Sequence, residues 1–169
     1  MNETITTRTA TSEDHELIRD IYEGSREFGK QTGSCDWPDD YPDDEIIEND
    51  ISHGDLYIVF MNDEPAAVFS LIATDDLDHQ PLDWAPVCSG VPVRICIRAN
   101  LQGKGLGKAV VNELIRVARK RGYESLRLLA STRNKPANRL YTGLGFTRKG
   151  TVALYNSEFN AYELLLSES

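Results

Sequence analysis

Gln102-Gly103-Lys104-Gly105-Leu106-Gly107-Lys108 stands directly before the strongest helix-patterned stretch of the chain. Glycines just ahead of a helix let backbone N–H groups approach an anion closely, and the positive end of the helix dipole adds to the attraction. Such a turn suits a phosphate or pyrophosphate. The alternative is a glycine-rich turn that serves chain geometry alone. Two phosphate motifs do not fit. A G-x-x-x-x-G-K-[ST] loop ending at Gly107-Lys108 needs glycine where Gln102 stands, and a hydroxyl residue where Ala109 stands. G-x-G-x-x-G fails because its third glycine falls on Lys108 or on Val110. The pattern that does fit is Q-x-x-G-x-G, as Gln102, Gly105 and Gly107.

A second constellation follows. Asn134-Lys135-Pro136-Ala137-Asn138-Arg139-Leu140-Tyr141 leads to Gly145-Phe146. By residue type, Asn134 is either a helix cap or a side-chain amide for a ligand. Ala137, Leu140, Tyr141 and Leu144 fall at helical spacing, so Tyr141 is either a core ring or a functional phenol. Together, the glycine turn and this N-x-x-A-x-x-L-Y-x-x-x-G-F segment resemble the GCN5-related N-acetyltransferase (GNAT) superfamily, from Val91 through Phe146. The N-terminal half matches the family's element order but carries no specific motif. More narrowly, the chain resembles a bacterial branch with Tyr41-Pro42 closing an acidic loop, Trp84 before the fourth strand and Arg94 entering it. That branch often has His before the Arg; Val93 stands there.

The resemblance implies an acyl-CoA N-acyltransferase fold of mixed α/β type. Its central mixed sheet would splay between the fourth and fifth strands, with about four helices around it. It implies an acyltransferase that moves acetyl, not an amino-acyl group, from acetyl-CoA to a primary amine of a small molecule or peptide, by direct attack in a ternary complex. The pantetheine arm would lie along Ile95, Cys96 and Ile97 like an added strand. The pyrophosphate would sit on amides of Gly103, Lys104, Gly105, Leu106, Gly107 and Lys108, with Gln102 opening the turn. Asn134 would hold the arm, and Arg139, with Arg133 and Lys135, is a candidate for the adenosine 3′-phosphate. Tyr141 would be the catalytic acid: its hydroxyl, with a reference pKa of ~10, would protonate a thiolate nearer ~8.5. A backbone N–H near Cys96 or Ile97 would stabilise the oxyanion. Val91 to Ala99 contains no carboxylate, so the base is unassigned among Asp83, Glu158, Glu163 and a water chain. Covalent catalysis by Cys96 is disfavoured: no His neighbours it in sequence, and a strand cysteine is ordinarily a small buried hydrophobe.

The elements that must position these residues read as follows. Ile5 to Thr9 is a strand. Thr11-Ser12-Glu13-Asp14 starts a helix carrying Leu17, Ile18, Ile21 and Tyr22, which ends at Gly29 or Gly33. Gln31 to Pro42 is an acidic loop, and Asp44 to His53 a second helix. Leu56 to Met61 and Ala66 to Ala73 form a hairpin about Asn62-Asp63-Glu64. Asp75 to Val91 is a long polar connection with an exposed-looking Trp84, of a length usually functional or mobile. Strands over Val93 to Ala99, Leu126 to Ala130, Phe146 to Thr151 and Ala161 to Leu166 alternate with helices over Gly105 to Arg121 and Pro136 to Leu144. The acceptor pocket would draw on the acidic loop, with Trp37, Tyr41 and Trp84 as walls or as packing anchors.

The chain has 169 residues and no apolar run of ~18, so one domain over residues 1–169 and no membrane span are expected. No signal peptide is apparent. Cys35, Cys88 and Cys96 lack C-x-x-C spacing, and no H-E-x-x-H occurs, so no metal is expected and a reducing cytoplasm suits the chain. The net charge of −9 argues against nucleic acid. It splits unevenly: residues 1–90 hold 4 Lys/Arg against 22 Asp/Glu, and residues 91–169 hold 14 against 5. A basic back half suits the polyanion coenzyme A, and an acidic front half suits a cationic amine; interleaving of the halves into a mixed surface is the plain alternative. The rival readings are a protein N-terminal or lysine acetyltransferase and a non-catalytic acyl-CoA-binding module. Monomer and homodimer are both open.

Overall fold

The computed structural model describes residues 4–32, 37–73 and 75–166. Cys35, Asp36 and the expected helix stop Gly33 lie outside these. Seven strands form a mixed sheet in the order β1-β2-β3-β4-β5-β7-β6, with four α-helices among the described residues. No helix among the described residues is long and apolar enough to cross a membrane. By contacts the chain falls into two compact units, Met1–Leu71 with Val93–Glu113, and Ile72–Pro92 with Leu114–Ser169.

The first unit carries β1 (Ile5–Thr9), α1 (His15–Thr32), α2 (Asp44–Ser52), β2 (Leu56–Met61) and β3 (Glu64–Ile72) up to Leu71. It also takes the end of β4 (Ser89–Ile97) and the start of α3 (Leu106–Lys120). Strands β1 and β2 pair antiparallel from Ile5↔Met61 to Thr9↔Tyr57. Strands β2 and β3 are joined by Asn62 and Asp63, both at positive φ (52° and 67°), a two-residue turn whose backbone twist matches the strands. Glu64 therefore belongs to β3 and not to the turn. Asp14 accepts from the Thr11 N–H at 2.8 Å, so the hydroxyl-then-acid signal does start the helix, through one 3-10 turn at Ser12–Asp14. α1 runs through Gly29, contrary to one expected stop. A mid-helix glycine costs only about 1 kcal/mol, less than the face it interrupts gains by burial. That face puts Ile18, Ile21 and Tyr22 against Ile47, Leu56, Ile58, Val68 and Cys96.

The second unit carries the start of β4, the end of α3, β5 (Ser125–Ser131), α4 (Lys135–Gly143), β6 (Thr147–Leu154) and β7 (Ser157–Leu165). β5 pairs antiparallel with β7, and β7 with β6. Leu126, Leu128, Ala130, Tyr141, Phe146, Val152, Ala161 and Tyr162 are buried. Two left-handed residues, Tyr155 and Asn156, close the β6–β7 hairpin. β4 begins at Ser89, not Val93, because Ser89 and Gly90 pair in parallel with Ser125 and Leu126. That ladder extends no further, as expected of strands that diverge.

Candidate active site

The candidate site residues fall into two sets, one in each unit. In the first unit, Gly103 and Gly105 adopt φ of 78° and 77°. A residue with a Cβ pays ~1–2 kcal/mol to do so. Nothing lies within 4 Å of a Cβ built on either glycine, so the backbone conformation demands glycine and crowding does not. The turn opens to solvent ahead of α3, whose first turn holds no acidic residue. An exposed glycine turn at a helix N-terminus with no acidic residue in its first turn is a place a polyanion fits. Lys104 and Lys108 are exposed and Leu106 is buried. Gln102 donates its amide to Ser25 Oγ and to the Ile97 carbonyl, both at 2.9 Å. Its side chain stitches the turn to α1 and to the end of β4, and so positions the turn.

Cys96 is 3% exposed, with its thiol against the Ile21 carbonyl at 3.7 Å. It packs as a small buried residue, the ordinary place of a strand cysteine. Ile95 and Ile97 are half-buried.

In the second unit, Asn134 caps α4: its Oδ1 accepts from the Ala137 N–H at 3.2 Å. The cap takes the side-chain oxygen. Arg139 is exposed. Tyr141 is 7% exposed, its ring packed edge-on to Phe146 at 5.4 Å and tilted to Tyr162 at 5.8 Å. No hydrogen bond engages its hydroxyl among the described residues. Burial, with Tyr162 adding a smaller push in the same direction, raises its pKa to about 12. The phenol is thus a proton donor throughout the neutral range. Asn138 was missed as a structural anchor of this motif. It donates to the Ser131 and Asn134 carbonyls and accepts from Tyr162 Oη at 2.6 Å and Asn160 Nδ2 at 2.8 Å, which satisfies all four of its bonds.

The acceptor-side candidates have packing roles. Trp37 lies 6.0 Å from the Tyr22 ring and 5.5 Å from Tyr41, against the core of the first unit. Tyr41 Oη accepts from Arg94 Nη1 at 3.1 Å. Trp84 belongs to the second unit. It is half-buried, not exposed as its polar surroundings suggested, because the Arg127 guanidinium covers it at 5.0 Å. Its indole nitrogen is buried without a hydrogen-bond partner among the described residues. Several acids of the loop are also committed: Asp39 pairs with Lys30, Asp43 caps α2, and Asp44 pairs with Arg19 at 2.8 Å.

Glu163 is the informative carboxylate. It is 3% exposed and accepts from the Ala85 N–H at 2.9 Å, Ser125 Oγ at 3.2 Å and Arg127 Nε at 3.1 Å, with Lys149 Nζ at 3.7 Å. Arg127 also holds Asp78 at 2.8 Å and the Ala85 carbonyl at 2.7 Å. These bonds fasten the connection before β4 to β5 and β7. The long connection is therefore anchored by buried charge, with Glu163 as its anchor. Asp83 and Glu158 are exposed. A further cluster went unread in the sequence: Asp50, buried in α2, takes two bonds from Arg94 and one from Ser70.

The Acetyltransferase (GNAT) family model matches residues 16–146, which includes both motifs. The chain belongs to the GNAT acetyltransferase family. No curated protein matches it at a significant level. Among solved structures, a GNAT-family acetyltransferase from Streptococcus agalactiae superposes with a TM-score of 0.84 at 21% identity, over 97% of this chain and 96% of its own. The yncA protein of Salmonella typhimurium, solved with its cofactor acetyl-CoA, gives 0.68 at 21% over 98% and 95%. The ribosomal-protein-S18-alanine N-acetyltransferase of Escherichia coli gives 0.70 at 18% over 98% and 96%. At these identities the likeness is one of fold. The GNAT fold accounts for the strand order, the short β4–β5 ladder and the glycine turn before α3.

Proposed function

We propose that the protein transfers the acetyl group of acetyl-CoA to a primary amine of a small molecule or peptide, by direct attack within a ternary complex. The observation that carries the reading is the open turn of Gly103 and Gly105 at the N-terminus of α3, which is built to accept a polyanion. The acetyl-CoA held by the Salmonella neighbour supports the choice of anion. Amides from Gly103 to Lys108 bind the pyrophosphate, and Lys104 and Lys108 add charge. The backbone of Ile95, Cys96 and Ile97 pairs with the pantetheine arm, the Asn134 amide holds the same arm, and Arg139 meets the 3′-phosphate. A backbone N–H of the Ile95–Ile97 segment polarises the thioester carbonyl. As the amine nitrogen bonds to the carbonyl carbon and the C–S bond breaks, Tyr141 gives its proton to the sulfur; the proton lost by the nitrogen passes to water, and a proton from water restores the phenol. The high pKa of its phenol means the proton moves as charge develops, not beforehand.

The test begins with the purified protein, acetyl-CoA and a pooled set of polyamines, amino acids, aminoglycosides and short peptides, read by mass spectrometry. Calorimetry with acetyl-CoA runs beside it. An acetylated small amine or peptide is the expected result. Acetylation of a protein N-terminus alone would transfer the reading to the class of the Escherichia coli neighbour. Binding without turnover on any amine or protein would leave a non-catalytic acyl-CoA module.

A further inference from the structure

Arg94 stands inside β4 with φ of 52°. A residue with a Cβ keeps that left-handed conformation only where its surroundings over-determine it. Here they do so from both ends of the residue. Its guanidinium grips Asp50 with two bonds of 2.8 Å, Nε to Oδ2 and Nη2 to Oδ1, and donates a third from Nη1 to the Tyr41 hydroxyl. Ser70 Oγ donates to the same Asp50 Oδ2 at 2.7 Å, which fixes the carboxylate in turn. The pair is nearly dry: the Asp50 side chain is 4% exposed and that of Arg94 14%. Burial lowers the Arg94 pKa, and its hydrogen bonds and charge attraction to Asp50 and Tyr41 raise it further than burial lowers it, so the guanidinium stays charged.

The main chain is held as well. Tyr22 Oη donates to the Arg94 carbonyl at 2.9 Å. That carbonyl shares its peptide plane with the Ile95 N–H, so the bond fixes the plane on which the Ile95–Ile97 segment begins. Tyr22 is 1% exposed, and burial pushes its phenol well above the usual range, which keeps it a donor. A buried ion pair is a weak source of stability, and apolar residues of similar size often replace one at no cost. Its particular capacity is direction, since a two-pronged guanidinium–carboxylate contact fixes angle as well as distance.

We propose that the buried Asp50–Arg94 pair is a positioning device that holds β4 kinked one residue ahead of Ile95–Ile97 and so aims the backbone N–H that polarises the thioester carbonyl. Neither residue touches a reacting atom. The inference rests on the reading of β4 as the strand that holds the thioester.

The test uses acetyl-CoA labelled with 13C at the acetyl carbonyl, and infrared spectroscopy of its carbonyl band free and bound. The main variant is Asp50→Leu with Arg94→Met, which removes both charges together and leaves no orphan charge, although the buried Ser70 hydroxyl loses its acceptor. Wild type is expected to move the band to lower frequency. The double variant is expected to bind acetyl-CoA within threefold of wild type and to lose at least half of that movement. Arg94→Lys keeps the charge but not the fork, and is expected to fall between the two. With an acceptor in hand, kcat of the double variant should fall tenfold or more at unchanged KM for acetyl-CoA. A folded double variant with the full band movement and unchanged kcat overturns the proposal, because a purely structural pair would alter only melting. Binding to wild type without any band movement also overturns it. Failure of wild type to bind acetyl-CoA overturns the reading on which it rests, and is distinguishable for that reason. Should the double variant not fold, Ser70→Ala, which leaves the pair but removes one support, is read in the same way: a partial loss of band movement supports the device, and none refutes it.

Discussion

Tyr141→Phe separates a catalytic role of this ring from its packing role, because a large loss of rate is expected with almost no loss of stability at neutral pH. The phenol ring packs on Phe146 and Tyr162, and phenylalanine preserves those contacts. The hydroxyl makes no hydrogen bond among the described residues, so its removal orphans nothing. Stability at pH 7 should change by less than ~0.5 kcal/mol. The rise of the Tyr141 pKa from 10.0 to about 12 has a further consequence. A raised folded pKa gives stability that is fully present below the unfolded value of ~10 and is lost as pH climbs through about 12. The loss is on the order of 3 kcal/mol. Phenylalanine cannot ionise, so the variant should outlast wild type between pH 10 and 12 in urea titrations. Acetyl transfer should slow by ~100-fold, about 2.7 kcal/mol, at the low end for a general acid because a thiolate leaves readily even without one. Thiol release measured with a chromogenic disulfide reads the rate, and calorimetry reads acetyl-CoA affinity, which should hold within twofold. An unchanged rate would remove Tyr141 from the mechanism. A loss of several kcal/mol at pH 7 would refute the claim that the hydroxyl has no protein partner.

Gly105→Val should cost ~1–2 kcal/mol for the left-handed backbone and reduce acetyl-CoA affinity at least tenfold, as read by calorimetry and melting. Asp14→Asn should lose about 1–2 kcal/mol at pH 7. The Arg8 hydrogen bond, opposed by burial and aided by the Thr11 N–H, lowers the Asp14 pKa from 3.8 to about 2. The stability this gives is present above pH ~4 and disappears as pH falls through about 2, so the two proteins should converge there in acid titrations. Glu163→Gln should cost about 3 kcal/mol, because Arg127 and Lys149 lose a buried counter-charge, although Arg127 keeps Asp78. Hydrogen exchange at Ala85 should quicken in the same variant while acetyl-CoA binding persists.

The glycine turn and the Asn134–Phe146 segment were legible because their meaning is local. Glycine at positive φ, a Pro in the first turn of a helix, and an aromatic at helical spacing act through neighbours a few residues away. The β1 strand, the β2–β3 hairpin and the strong amphipathic helices followed from patterning for the same reason. Helix and strand ends were less legible. Gly29 looked like a stop but lies inside α1, because burial of Ile18, Ile21 and Tyr22 outweighs one glycine. Ser89 looked like loop but starts β4, because its partner Ser125 comes 36 residues later in the chain.

By itself, the sequence determined the family, the candidate anion-binding turn and the candidate proton donor, all of which rest on short-range spacing. Only the tertiary structure decided what the buried charges do. Asp50 and Arg94 lie 44 positions apart, and Arg127 and Glu163 lie 36 apart. In the sequence each reads as an ordinary polar residue on an ordinary element. A carboxylate becomes an anchor, a clamp or a base according to which donors surround it and how much water is excluded, and both are set by chain segments far apart in sequence. Glu163 thereby became an anchor, Trp84 gained its Arg127 cover, and Arg94 acquired a backbone conformation that its residue type would not choose.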